Sequence, residues 1–245
     1  MKLRFMTYNI QHGINYHRQK ELERRGGIWQ EPVDLALMAE EIRRQKADIV
    51  GLNEIFGGGP SPEYTGQAEQ LAAMLGCHCY FASALRLGGN PYGNAILSRF
   101  PILEAKTIGI PDPPVRDEDA YYETRCVLRA RFAEGFTVLI SHFGLAKAEA
   151  RNAVETVLSL LREEKGPVVL MGDFNLEPDS PILAPLFEEL TDTAALFPCP
   201  LKSWPSDEPE QKIDYIFVKN AQALEADIPP VEASDHRPHT ALIEL

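Results

Sequence analysis

The sequence predicts an α+β fold in which two stacked sheets are flanked by helices. Short apolar runs with strand character are many, while helical stripes are few and widely separated. That pattern does not fit the strict βαβα alternation of a doubly wound fold. No linker-like stretch or internal repeat interrupts the 245 residues, so residues 1–245 read as one domain.

Residues 2–10 read as the first strand, and 11–31 as a long loop holding Gly26-Gly27 and both signs of charge. Pro32 is expected to open a helix through about Gln45, with Leu35, Met38, Ala39 and Ile42 on one face. Asp48–Leu52 is a short buried strand that delivers Asn53-Glu54 at its end. Gly57-Gly58-Gly59-Pro60 starts a loop. A helix follows near Gln67–Leu75. Strands are expected at 78–84, 94–98, 102–109, 121–132 and 135–141, with a rigid acidic loop at 111–120. A helix at 147–164 carries Ala150, Val154, Val157, Leu158 and Leu161 on one stripe. A strand at 167–171, a short helix near 181–189 and strands at 213–218 and 240–244 complete the chain.

Hydrophobic residues make up 44% of the chain, enough for a proper core. No run approaches the roughly 18–20 apolar residues of a membrane span. The N-terminus turns polar at Thr7 and Asn9, too early for a signal peptide, so a cytoplasmic location is expected. Cys77-His78-Cys79 lacks the spacing of a zinc knuckle, and no matching pair follows. Alternation puts Cys77 and Cys79 on one strand face, as reduced and buried thiols. The formal net charge of −12 disfavours non-specific binding to nucleic acid, which relies on Lys and Arg against phosphates. It does not exclude a nuclease with a local basic patch. A monomer is expected.

Strand after strand ends in a polar group. The apolar run Pro167-Val168-Val169-Leu170-Met171 leads straight into Gly172-Asp173-Phe174-Asn175. An acid and an amide two residues apart at a strand end suit Mg²⁺-assisted attack on phosphorus. The same residues are ordinary turn formers, so the motif alone decides nothing. Asn9 ends the first strand, Glu54 the second, and Ser141-His142-Phe143-Gly144 another. Asp214 interrupts an apolar alternation, and Ser234-Asp235-His236 precedes the last strand.

In order, TYNI, NE, YGNAILS, ETR, SHFG, GDFN, KIDYIF and SDHRPH resemble the endonuclease/exonuclease/phosphatase superfamily from residue 7 to 239. GDFN and SDH are its specific pieces. The resemblance implies a four-layer α-β-β-α sandwich with two mixed, mainly antiparallel sheets, and dependence on Mg²⁺ or Mn²⁺. It implies that Glu54 is the principal metal ligand, helped by Asn9, with Asp235 a second metal-site acid. By the same likeness Asp173 orients or deprotonates the attacking water, and Asn175 contacts the scissile phosphate. His236 corresponds to the histidine paired with Asp214, and His142 to the one that donates to a phosphate oxygen. Where some members pair that second histidine with a carboxylate, the matching segment here offers Asn94. Arg125 pairs with an acid or grips phosphate, and His12 lies close enough to Asn9 to reach substrate. Abasic-site nucleases carry an acid two residues after the first Asn, whereas this chain has Gln11.

The expected reaction is in-line hydrolysis of a phosphoester, with either Asp173 or the Asp214–His236 pair as base. The 111–120 loop sets Asp112, Asp117, Glu118 and Asp119 against one Arg116, which should repel a long polyanion. A small phosphodiester, phosphomonoester or lipid headgroup therefore ranks ahead of DNA or RNA. Trp29, Tyr121, Tyr122 and Trp204 are candidate pocket walls. A non-catalytic binding protein would be expected to have lost one of Glu54, Asp173, Asp214 or His236, and all are present.

Overall fold

Two six-stranded sheets lie face to face in the computed structural model, which describes residues 1–25, 31–60, 65–116, 119–198 and 201–245. In chain order the elements are β1 (Lys2–Asn9), α1 (Tyr16–Arg24), α2 (Leu35–Gln45), β2 (Ile49–Phe56), α3 (Gln67–Leu75), β3 (His78–Leu87), β4 (Asn90–Ser98), β5 (Glu104–Gly109), β6 (Cys126–Arg131) and β7 (Thr137–His142). There follow α4 (Lys147–Glu163), β8 (Val168–Asp173), α5 (Ala184–Glu189), β9 (Thr191–Asp192), β10 (Asp214–Lys219), β11 (Gln222–Asp227) and β12 (His239–Glu244). One sheet has the order β11-β12-β1-β2-β4-β3 and the other β5-β6-β7-β8-β10-β9.

Alternation along the strands makes the layers. Leu3 and Phe5 of β1 enter a core shared with Val138, Ile140, Val169 and Met171 of the other sheet. Met6 and Tyr8 face the opposite way, onto Met38, Ile42 and Leu71 of α2 and α3. Leu139, Leu170, Tyr215 and Phe217 likewise face Val154, Val157 and Leu161 of α4. The result is an α-β-β-α sandwich with three apolar interfaces. Gly51 sits where the sheets come close: an added Cβ would lie 2.9 Å from Met171 Cε and 3.1 Å from Ile140.

The pairing puts the polar strand ends on one edge. β1 and β2 are parallel, as are β7 and β8, so all four end on the same side. β4, β10 and β12 run antiparallel to these neighbours and therefore begin there. β6, antiparallel to β7, also begins there, immediately after Arg125.

Several boundaries differ from the sequence expectation. The 11–31 loop contains α1, opened by Asn15, whose Oδ1 accepts from Arg18 N at 3.1 Å. Its charges are engaged: Lys20 pairs with the distant Asp207, and Arg25 with Glu21 one turn away. The next helix starts at Leu35 rather than Pro32, because Pro32 O accepts from Asn15 N and Asp34 supplies the cap to Leu37 N. The strand expected from 121 begins at Cys126; Glu123 N and Thr124 Oγ1 instead donate to the side chains of Glu149 and Asp112. Gly88 and Gly89, both at positive φ, close a β3–β4 hairpin longer than the apolar alternation suggested. Cys77 and Cys79 are half-buried rather than buried. Trp29 and Cys199 lie outside the described residues.

His239 is fully buried in β12, with Nε2 3.2 Å from Thr193 Oγ1. Burial, reinforced by Lys212, holds it well below the ordinary histidine value of 6.5. Below that value the unfolded chain takes up a proton that the folded chain refuses. His239 therefore supports the fold above 6.5 and withdraws that support as pH falls, at up to about 1.4 kcal/mol per pH unit. His239→Gln should flatten this part of the acid loss seen in urea midpoints between about pH 7 and pH 5. A variant with the wild-type acid slope would refute the assignment.

Candidate active site

Strand parity aims four of the polar residues into the gap between the sheets. Asn9, His142, Asp173 and Asp214 share the alternation of Phe5, Ile140, Met171 and Ile216, the residues of the inter-sheet core. They cap that core at its open edge. Register sets Asp173 opposite His142 on one side and Asp214 on the other. Asn53 stitches the two sheets there. Its Nδ2 donates to Asn94 Oδ1 at 2.8 Å and Ser141 O at 3.2 Å, and its Oδ1 accepts from Asp173 N at 3.0 Å.

Alternation alone would turn Glu54 toward the helices. A register shift between Leu52 and Ile55, with Glu54 at φ +55°, turns it into the cleft. Asn9 Nδ2 then donates to Glu54 Oε1 and to Asp173 Oδ2, both at 3.0 Å. Tyr92 Oη donates to Glu54 Oε2 at 3.1 Å. Asn175, just past the end of β8, also stands at positive φ, +50°. Its backbone N donates to Asp173 Oδ1 at 2.9 Å, and its Nδ2 donates to Phe143 O at 3.0 Å. Gly172 permits this exit from β8, because a Cβ there would overlap the Ser141 carbonyl.

Two histidines flank Asp173, one protonated and one neutral. His236 Nε2 is 3.6 Å from Asp173 Oδ2, and its Nδ1 is 2.9 Å from Asp214 Oδ2. Burial disfavours charge on His236, but Asp214 and Asp173 outweigh it and hold the ring protonated. Ser203 Oγ donates to the same Asp214 oxygen at 2.6 Å. His142 Nε2 is 3.5 Å from Asp173 Oδ2, and its Nδ1 is 3.0 Å from Arg125 Nη1. Burial and then the Arg125 charge keep His142 neutral. Asp173 is itself pushed upward, chiefly by burial, with Asp214 adding to the push and His236 opposing it.

Glu54, Glu123, Arg125, His142, Asp173, Asn175, Asp235 and His236 line a cleft of about 400 Å³, together with Leu145, Trp204, Gln211 and Ile213. The donors fit a hard divalent cation. Burial raises the Asp235 carboxyl and the charge of Glu54 raises it further, a repulsion that a cation between acids relieves. Asp173, Asp214 and His236 also place ligand-type atoms within 4.8 Å of one another. There, however, Asp214 Oδ2 is already taken by His236 and Ser203. Glu54 and Asp235 are the better oxygen pair.

Two expectations are corrected. Asn94 does not reach the cleft: it is buried, accepts from Asn53 and donates to Cys126 O at 3.1 Å. His12 does not line it either; its ring packs against Phe56 and Tyr92, and its Nε2 is 3.2 Å from Glu31. Tyr121 and Tyr122 are likewise not among the cleft residues, whereas Trp204 is. Residues not foreseen are Asn53, Tyr92, Glu123, Ser203 and Gln211. Asn53 and Tyr92 stand inside motifs that the sequence displays, but nothing in it marks Ser203.

A family model described as the endonuclease/exonuclease/phosphatase family matches residues 6–236. The uncharacterized protein YbhP of Escherichia coli is 28% identical, over 85% of this chain and 87% of that protein. The structure of an endonuclease/exonuclease/phosphatase from Bacteroides vulgatus superposes with a TM-score of 0.76 at 20% identity, covering 100% of this chain and 99% of that one. A mannosyl-6-phosphatase of Bacteroides thetaiotaomicron gives a TM-score of 0.74 at 18% identity, covering 99% and 100%.

Proposed function

The chain belongs to the endonuclease/exonuclease/phosphatase family, and from that premise we propose that it is a Mg²⁺- or Mn²⁺-dependent hydrolase of small or lipid-headgroup phosphoesters. The observation that carries this reading is the convergence on Asp173. Asn9, Asn175 N, His142 and His236 all approach its carboxylate, and Asn9 links it to Glu54.

Glu54 and Asp235 would hold the cation, with Asn9 fixing the Glu54 carboxylate; when bound, it supplies neutralisation of charge on the phosphate. Asp173 is the base. Its carboxyl is raised toward the range where it can take a proton from water, while His236 is held protonated and so cannot. His236, fixed by Asp214, supplies positive charge beside the reacting oxygen. His142 and Asn175 supply neutral N–H donors as charge builds on phosphorus.

The cleft favours a compact ester over a nucleic acid. Its single guanidinium among the described residues, Arg125, is paired with Glu123 at 2.6 Å. Leu145, 57% exposed, lines it together with Trp204 and the buried Ile213. The likeness to a mannosyl-6-phosphatase, an enzyme of a small sugar phosphate, supports a small substrate here as well. Free Cys77, Cys79 and Cys126 suit a reducing compartment such as the cytoplasm.

A hydrolysis panel tests the proposal. Bis-p-nitrophenyl phosphate, a phosphomonoester, a phospholipid, supercoiled plasmid and RNA would be compared with Mg²⁺ or Mn²⁺. Turnover of the small esters or the phospholipid well above the polymers is expected. Preferred cleavage of plasmid or RNA would establish a nuclease instead. No hydrolysis of any ester would leave a binding protein that kept the fold.

A further inference from the structure

His142 is caught between two donors. Its Nδ1 is 3.0 Å from Arg125 Nη1, and its Nε2 is 3.0 Å from Asn175 Nδ2. A guanidinium has no acceptor, and neither has an amide nitrogen. A doubly protonated ring would oppose donors at both contacts. The neutral ring has one lone pair, so it satisfies one neighbour and opposes the other. The bond from a buried, charged guanidinium is the stronger of the two. Arg125 therefore takes the lone pair of Nδ1, and the proton sits on Nε2.

The Asn175 amide cannot escape by turning over. Its Nδ2 also donates to Phe143 O at 3.0 Å, and a reversed amide would set its oxygen against that carbonyl. Arg125 is just as fixed. Its Nη2 is 2.6 Å from Glu123 Oε2, and Glu123 N donates at 2.8 Å to the buried Glu149 of α4.

We infer that Arg125, braced by Glu123, is a positioning residue that locks His142 as the neutral Nε2–H tautomer, so that the N–H groups of His142 and Asn175 converge at 3.0 Å, with the nearest carboxylate oxygen, Asp173 Oδ2, 3.5 Å from His142 Nε2. An anionic oxygen accepting from both would relieve that conflict. In this the assignment rests on the hydrolase reading, whose phosphate supplies such an oxygen. The contrast with His236 is chemical: a carboxylate at Nδ1 makes a cation of that ring, while a guanidinium at Nδ1 forbids one here. Donors set in place before the reaction need no reorganisation as charge develops.

The test is nitrogen-15 NMR of histidine-labelled protein, with His142 assigned by its loss in His142→Gln. The wild type should show Nδ1 unprotonated and Nε2 protonated near neutral pH. Arg125→Lys, still a pure donor, should keep that tautomer and hold kcat within about fivefold. Arg125→Met should release it, giving mixed or Nδ1-protonated rings. It should also lower kcat about a hundredfold on the panel's best ester, with KM nearly unchanged. A protonated Nδ1 in the wild type would overturn the inference, as would full kcat in Arg125→Met. The wild-type spectrum needs neither a variant nor turnover. The tautomer can therefore fail while the hydrolase reading stands, and the reverse.

Discussion

Asp173→Asn is expected to lower kcat about a thousandfold while leaving the protein at least as stable as the wild type. General base catalysis contributes on the order of 10²–10⁴ in rate, and Asn cannot accept the water proton. The stability half follows from the sign of the carboxyl shift. Burial raises Asp173 above its ordinary value of 3.8, so at neutral pH its ionised form costs the folded state free energy. Asn is the same shape. Its carbonyl oxygen can keep one of the bonds now given by Asn9 Nδ2 and Asn175 N, and the buried charge is gone. Thermal melts in the presence of a chelator should show a melting temperature equal to or above that of the wild type. A group kept for structure would give the opposite pattern, with lost stability and spared turnover. Retention of more than about a tenth of kcat would remove Asp173 from the role of base.

Glu54→Gln is expected to cost about a thousandfold in kcat and to raise the Mg²⁺ concentration needed for half-maximal activity by tenfold or more. Lewis-acid neutralisation is worth several kcal/mol, and each 1.4 kcal/mol is about tenfold. The variant keeps the shape of the residue that meets Asn9 and Tyr92, and removes the anionic oxygen. Chelation of the wild type should abolish turnover, and added Mg²⁺ or Mn²⁺ should restore it. Chelator-resistant activity would refute metal dependence, and an unchanged Mg²⁺ requirement in Glu54→Gln would place the cation elsewhere.

The layered sandwich was legible because strand parity and helical stripes are local. Adjacent apolar residues such as Phe5 and Met6, or Val169 and Leu170, mark strands covered on both faces. β9 and β11 leave little trace in the sequence: β9 has two residues, and β11 alternates weakly, as QALEAD. Helix α1 is hidden in the sequence because its face is almost wholly polar, and tertiary contacts such as Lys20 with Asp207 hold it.

The sequence by itself determined which chemistry the chain carries: acids, amides and histidines at the ends of apolar strands, with Asp173 and Asn175 after Gly172. Tertiary structure decided how they meet. Parallel pairing of β1 with β2 and of β7 with β8 brought those ends to one edge. A register shift at positive φ turned Glu54 into the cleft, against the face that simple alternation assigns it, and a positive φ just past β8 set Asn175 beside Asp173. Ser203 reached Asp214, and Arg125 reached His142, through contacts between separate segments. Alternation is a property of neighbouring residues, so a sequence displays it directly. Which strands lie side by side, and where a ladder slips by one residue, depends on how whole sheets pack.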